Sequence, residues 1–327
     1  MTIRRYTPAD RAVWDAFAAA SRNATFLHQR GYMDYHSDRF ADHSLLFYDT
    51  KGHLRGLLPG NEEPAPDGAA GKCYWSHHGL TYGGLLLSMK ETTETVLRMF
   101  EALVAYLRAE GFTRLHYKQI PQTYPIYPTQ EDDYALWRHG AVLDVCNISV
   151  AVDLRAAAMP AAKQRRRHGW TLAGELGYQV QETADLATFW PIVVSNLWER
   201  HGVRPVHTLD EIRLLQSRFP HNIRCLIATR TQGSDAPSVE AGAILYQSRN
   251  AVHVQYTHAT PRGREDGAQD AVLHAAMEYY RNETSVRYFD FGISNEQDGR
   301  YLNEGLISQK EGFGARGVAY RIFRLDL

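Results

Sequence analysis

This chain of 327 residues has only three cysteines and a formal net charge of −1, and it contains no long apolar run. Each shortage excludes something. Cys73, Cys146 and Cys225 have no metal-type spacing, and a disulfide framework needs more. Each sits among strand-like residues and reads as a small buried hydrophobe in a reducing compartment. A charge balance near zero gives no bulk attraction for DNA. No stretch approaches the roughly 18 apolar residues of a membrane span, and Met1-Thr-Ile-Arg-Arg-Tyr6 lacks a signal-type apolar region. The expectation is a cytoplasmic protein with no membrane span. An apolar fraction of 44% and a charged fraction of 22% are ordinary for a globular chain, and the length predicts two domains.

What is present is a repeated plan. Leu45–Tyr48 and Leu54–Leu58 read as a hairpin, Cys73-Tyr-Trp75 as a strand, and Val96, Phe100, Leu103 and Leu107 as a helix face. Leu115–Lys118 is the next strand, a helix near Tyr134–Arg138 stops at Gly140, and a strand runs to Leu154. The second half follows the same order. Cys225–Thr229 and Gly242–Tyr246 make the hairpin and Val252–Thr257 the strand. Val272, Ala276 and Tyr279 mark the helix, and Val286–Phe291 is the strand after it. Leu154 lies fourteen residues after Gly140, and Leu327 fifteen after Gly312. Matching order and spacing point to duplication, with domains at 1–154 and 155–327. Thr7-Pro8 with Asp10, and Thr208 with Glu211, are helix starts. Asn61–Gly71 and Thr231–Ser238 read as surface loops.

The richest segment is the last forty residues. Tyr288-Phe-Asp-Phe-Gly-Ile293 suits a buried strand. Tyr301, Leu302, Gly305, Leu306 and Gln309 fall on one side of a predicted helix that ends in Gln309-Lys310-Glu311-Gly312-Phe313-Gly314, and Val318–Leu327 closes the chain as a strand. This ending resembles the GNAT acyltransferase fold, and within it the Fem-type and CelD-type branch, whose helix ends in phenylalanine-lysine-x-glycine-phenylalanine-glycine. Gln309 departs from that pattern. Ser308 stands where ordinary GNAT enzymes carry a tyrosine that protonates the leaving thiolate.

The resemblance implies an α/β (α+β) protein of two tandem GNAT-like domains, each a mixed, mostly antiparallel sheet with a splayed central strand pair, flanked by helices. The first would be a degenerate copy, and the second would carry the donor site. It further implies an N-acyltransferase, most simply moving acetyl from acetyl-CoA to an amine of an amino-sugar or other envelope-polysaccharide precursor. No metal is called for. An aminoacyl-tRNA donor is one alternative, and a non-catalytic ligand-binding module is another.

In that frame Tyr256 and Thr257, with Arg262, Gly263, Arg264, Gly267 and Ala268, form the donor-binding edge and loop. Backbone N–H groups from Arg262 to Ala268 would meet the pyrophosphate, although Glu265 and Asp266 bring negative charge to the same loop. His258 or Asp290 would accept the amine proton. Lys310 could meet a phosphate or carboxylate, or snorkel from the helix end. Glu311 is a rival base or an acceptor contact. His207, between two helices, borders the acceptor. His78 and Tyr82, on the glycine-rich loop Ser76–Gly84, are acceptor-binding candidates expected to share one cleft with Lys310 and His258; the plain alternative is a tight turn. The basic run Lys163–His168 is either a phosphate contact or a solvated helix face.

Overall fold

A computed structural model of the chain describes residues 1–65, 71–230 and 237–327. The chain divides into two compact units. One takes residues 1–148, 295–301 and 318–327, and the other takes 149–294 and 302–317. The expected division at 154/155 therefore differs in two respects. The strand Val142–Asp153 is shared at Ile148, and the closing strand Arg316–Asp326 gives its residues from Val318 onward to the first unit. There it pairs antiparallel with Phe112–Lys118, Ile322 facing Lys118. A boundary read from element order alone misses such an exchange, because the last strand belongs to a sheet begun two hundred residues earlier.

In the first unit, Thr2–Arg5, Leu45–Tyr48, Leu54–Leu58 and Leu86–Leu87 form a four-stranded antiparallel sheet. Lys72–Trp75 runs parallel to Phe112–Lys118, joined by the helix Thr93–Ala109, which buries Val96, Phe100, Leu103 and Leu107 as its spacing predicts. Thr7 and Asp10 form a reciprocal cap.

In the second unit, Gln179–Thr183, Ile223–Arg230, Ser238–Gln247 and Ala251–Ala259 form an antiparallel meander. Ala251–Ala259 then pairs in parallel with Tyr288–Ile293, but only from Ala251/Tyr288 to His253/Asp290. Beyond that point the two strands part, which is the expected splay. A register shift beside Ile244/Leu245 adds to it, since Gln255 has no partner of its own between Val254 and Tyr256. The helix Ala268–Asn282 covers one face through Val272, Leu273, Ala276 and Tyr280. Tyr280 takes the inner position assigned to Tyr279, which is exposed. Thr208 and Glu211 make the predicted capping box of Leu209–Arg218. Both units thus show a mixed, mostly antiparallel sheet flanked by helices.

Two smaller expectations change. The final helix begins at Glu304, capped by the Asn303 side chain, while Tyr301–Leu302 pairs with Asn295–Glu296 as a short strand. Among the cysteines, Cys73 and Cys225 are buried but Cys146 is exposed. Residues 66–70 and 231–236, the centres of the two expected loops, lie outside the described residues. Among the described residues no helix is long and apolar enough to cross a membrane.

Candidate active site

The second unit contains a cleft of about 720 Å³. One wall is the helix Gln164–Glu175, whose Arg165, Arg166, His168 and Gly169 face it, with Lys163 just before. Arg264, Glu265, Gly267, Gln269 and Asp270 form a second wall, from the loop and helix after the splayed strand. Gly305, Ser308, Gln309 and Gly312 of the final helix form a third, and Arg200 adds another cation. The basic run is therefore part of a cleft, and Ser308 lines it.

Of the acids in this loop and helix, Asp266 and Asp270 are largely neutralised, while Glu265 lines the wall and is exposed. Asp266 accepts from the Tyr178 hydroxyl at 2.8 Å and from Arg230 at 3.1 Å. Asp270 pairs with Arg166 at 2.5 Å, while its burial pushes its carboxyl up against that pull. The cleft is left strongly cationic, which suits an anionic ligand.

The loop's backbone is committed elsewhere. The N–H of Gly263 donates to Thr260 Oγ1, that of Arg264 to Thr260 O, that of Asp266 to Arg262 O and that of Gly267 to Arg264 O. These bonds close the short helix Pro261–Glu265. Gly267 holds φ +76°, and a Cβ there would lie 2.1 Å from the carbonyl oxygen of Gly169. Its glycine character serves helix packing. Of the predicted donor residues, Arg264 and Gly267 line the cleft; Arg264 also donates to Asn196 and to Ala259 O. Gly263 abuts Glu240, Arg262 pairs with Asp266, and Ala268 belongs to the core.

The splayed strand carries two sets of groups. The Thr257 carbonyl accepts from Gln269 at the helix start, so it points away from the neighbouring strand. In an extended strand the N–H of the same residue points that way too. Tyr256 pairs across the sheet with Ile244 and turns to the opposite face. Its hydroxyl meets His207 Nδ1 at 2.9 Å, and its ring stands edge-on to Trp190. His258, half-buried, lies two residues on and shares that face.

Asp290 is fully buried. It accepts from Ser149 Oγ at 2.5 Å, from the Gly292 N–H at 2.9 Å and from His253 Nδ1 at 3.3 Å. His253 is not among the residues that the sequence singles out, because its place beside Asp290 is set by the pairing of two strands distant in sequence. Lys310 is buried, and its ammonium donates to the carbonyls of Gly292 and Ile293. Burial pushes that ammonium down to about 8, with Asp290 pulling the other way. Glu311 is half-buried at the end of the same helix.

In the first unit, His78 Nδ1 donates to the Glu63 carboxylate and the ring stacks on Trp75. Tyr82 is buried against Tyr124. The loop is a packed turn, with His77 at φ +64° and its ring buried. Among the described residues no group of three or more histidines, cysteines or acids is placed to hold a metal.

Residues 160–301 match the family described as the acetyltransferase (GNAT) domain. That stretch of the chain therefore carries a GNAT-type acyltransferase domain. Over its whole length the fold is similar to those of solved Fem-type and tandem GNAT proteins. The chain is similar to the crystal structure of FemX, with 12% identity, 100% of this chain and 98% of that chain covered, and a TM-score of 0.72. It is also similar to the C-terminal domain of a putative lysylphosphatidylglycerol synthetase from Agrobacterium fabrum, with 12% identity, 98% and 92% covered, and a TM-score of 0.60. A tandem GNAT protein from the clavulanic acid biosynthesis pathway gives 15% identity, 99% and 98% covered, and a TM-score of 0.50. At these identities the likeness is one of fold. No curated protein matches the sequence.

Proposed function

We propose that the protein transfers an acyl group from a phosphate-bearing carrier to an amine, on its second unit. The observation that supports this is the cationic cleft beside the parted strands, with Ser308 and Gln309 at one wall and the Thr257 edge near another. The amine nitrogen attacks the acyl carbonyl, and the Thr257 N–H, which faces away from the neighbouring strand, holds the oxyanion. The bond to the carrier's sulfur or oxygen then breaks. Ser308 is a weak acid, so water or a returned proton neutralises the leaving group. His258, on the same face as Tyr256 and His207, is one candidate base.

An acyl-CoA, most simply acetyl-CoA, is the small carrier that such a cleft would hold. One observation favours the alternative, an aminoacyl-tRNA. The N–H groups of Gly263, Arg264, Asp266 and Gly267 are already bonded within the loop, so phosphates would be gripped by side chains. Lys163, Arg165 and His168 are exposed for that purpose. The acceptor we propose is the amine of an amino-sugar or cell-envelope precursor, in keeping with the Fem-type fold. His207 and Glu311 are placed as acceptor contacts in this reading, and His78 and Tyr82 are kept as first-unit candidates.

Titration calorimetry with acetyl-CoA, beside filter binding of an aminoacyl-tRNA, tests the reading. Binding of either, followed by transfer to glucosamine, supports it. Binding of neither at millimolar acetyl-CoA and micromolar tRNA removes it.

A further inference from the structure

The parallel pairing of Ala251–Ala259 with Tyr288–Ile293 ends at one residue pair, His253 and Asp290. The carboxylate is fully buried, held by the Ser149 hydroxyl and by the Gly292 N–H, and one of its oxygens stands 3.3 Å from His253 Nδ1. A carboxylate that accepts from three sides has a fixed direction. It is also unsuited to taking a proton from a substrate itself, because burial and those bonds hold it in place. What it can do is hold a ring. A neutral histidine bonded to a carboxylate through Nδ1 carries its proton there, which makes Nε2 the basic nitrogen.

The ring is not sealed in. The His253 side chain keeps 15% of its surface exposed, against 0% for Asp290. Gly292 leaves it room. A Cβ on that residue would lie 3.1 Å from His253 Cε1 and 3.7 Å from Nε2. The positive φ of Gly292, +77°, falls just past the last pair with Ala251–Ala259, where the register of this strand against Val142–Asp153 shifts between Asp290 and Ile293. So the strand splay, the glycine beside the ring and the buried acid behind it meet at one histidine.

We propose that His253 is the proton acceptor of the transfer, with Asp290 as its positioning residue; this rests on the acyl-transfer reading above. The amine nitrogen bonds to the acyl carbon, and the proton it sheds passes to Nε2. The Nδ1 proton stays on the Asp290 side. As the acyl–carrier bond breaks, the imidazolium returns the Nε2 proton to the carrier's sulfur or oxygen, which leaves an amide, the free carrier and neutral His253. This differs from a base at His258, which lies five residues on, beyond the point where the strands part.

The test compares native chain, His253→Gln, His253→Ala and His258→Gln, using glucosamine and whichever of acetyl-CoA or an aminoacyl-tRNA the native chain uses. His253→Gln should lose at least about a hundredfold in transfer rate with donor affinity unchanged. Added imidazole should restore part of the rate to His253→Ala. Nitrogen-15 NMR of the native chain should show the His253 proton on Nδ1, and Asp290→Asn should shift that signal; this readout needs no turnover. Full activity in His253→Gln, loss only in His258→Gln, or a proton on Nε2 overturns the assignment while leaving acyl transfer intact. A native chain that transfers from neither donor removes the acyl-transfer reading and this assignment together.

Discussion

The ammonium of Lys310 lies 2.9 Å from the carbonyl oxygen of Gly292 and 2.7 Å from that of Ile293. The final helix is thereby fastened to the end of the strand that carries Asp290. A left-handed Gly292 turns both carbonyls to one donor, and the Asp290 carboxylate fixes that turn by accepting from the Gly292 N–H. Lys310→Met removes the donor and strands two carbonyls. Chemical denaturation should show a loss of about 2 kcal/mol, the usual cost of unsatisfied buried groups. An unchanged unfolding midpoint would mean that the latch contributes nothing.

The same lysine predicts a pH signature. Its pKa falls to about 8 in the folded chain, against about 10.4 for an unfolded lysine. Between these values the unfolded chain binds more protons, so this group's contribution to stability rises with pH. Below pH 8 the full desolvation cost is carried. The stability difference, native minus Lys310→Met, should climb by up to about 1.4 kcal/mol per pH unit from about 8 to about 10. A flat difference would contradict the depressed value.

Gly267 was expected to admit a pyrophosphate, and its neighbourhood gives it another task. Gly267→Val should unfold or strongly destabilise the second unit, by more than about 2 kcal/mol, because φ is +76° and a Cβ would meet the Gly169 backbone. Gly169→Ala is the milder partner test. Its Cβ would meet Asp270 Oδ2 at 2.2 Å and should weaken the Asp270–Arg166 pair. Thermal melting of both variants, without any ligand, separates a packing role from a binding role.

Much of this architecture was legible. Helical spacing placed Val96 to Leu107, and the capping residues Thr208 and Glu211 placed a helix start, since both signals are local. The final strand was legible as a strand but not as a member of the first unit, because pairing with Phe112–Lys118 is long-range. His253 was missed for a similar reason. A histidine inside a β-branched run looks like a strand filler, and its meaning depends on the register that brings it beside Asp290. Lys310 and Asp290 stand out from the motif as candidates. Their partners, two carbonyls and a serine hydroxyl, follow only from the bend at Gly292.

The first unit should lose stability on mild acidification through its buried histidines. Burial pushes His28 and His116 down to about 4, against about 6.5 unfolded. As pH falls below about 6.5 the unfolded chain binds protons that these rings refuse, and each costs up to about 1.4 kcal/mol per unit until about pH 4. Asp132 opposes this. Burial, with Asp133 beside it, lifts its carboxyl to about 6, so below about pH 6 the folded chain binds the extra proton and gains. Two histidines against one acid leave a net loss. His28→Gln should flatten the decline between about pH 6 and about pH 4 and Asp132→Asn should steepen it, as read from urea midpoints across that range.

The cleft's exposed cations give the sharpest test of the carrier. Lys163 and Arg165 stand exposed at its edge, so Lys163→Ala and Arg165→Ala should keep stability within about 0.5 kcal/mol of native. Arg166 is less suitable, being tied to Asp270. If a polyanionic tRNA docks there, log affinity should fall linearly with log salt, and each removed phosphate contact should lower that slope by about 1. If acyl-CoA docks there, few phosphates are available and the slope should be shallow from the start, while each substitution still weakens binding. Both outcomes require that the two variants bind their donor less well than the native chain. Native affinity in both variants would detach the basic run from the carrier and return it to a solvated helix face.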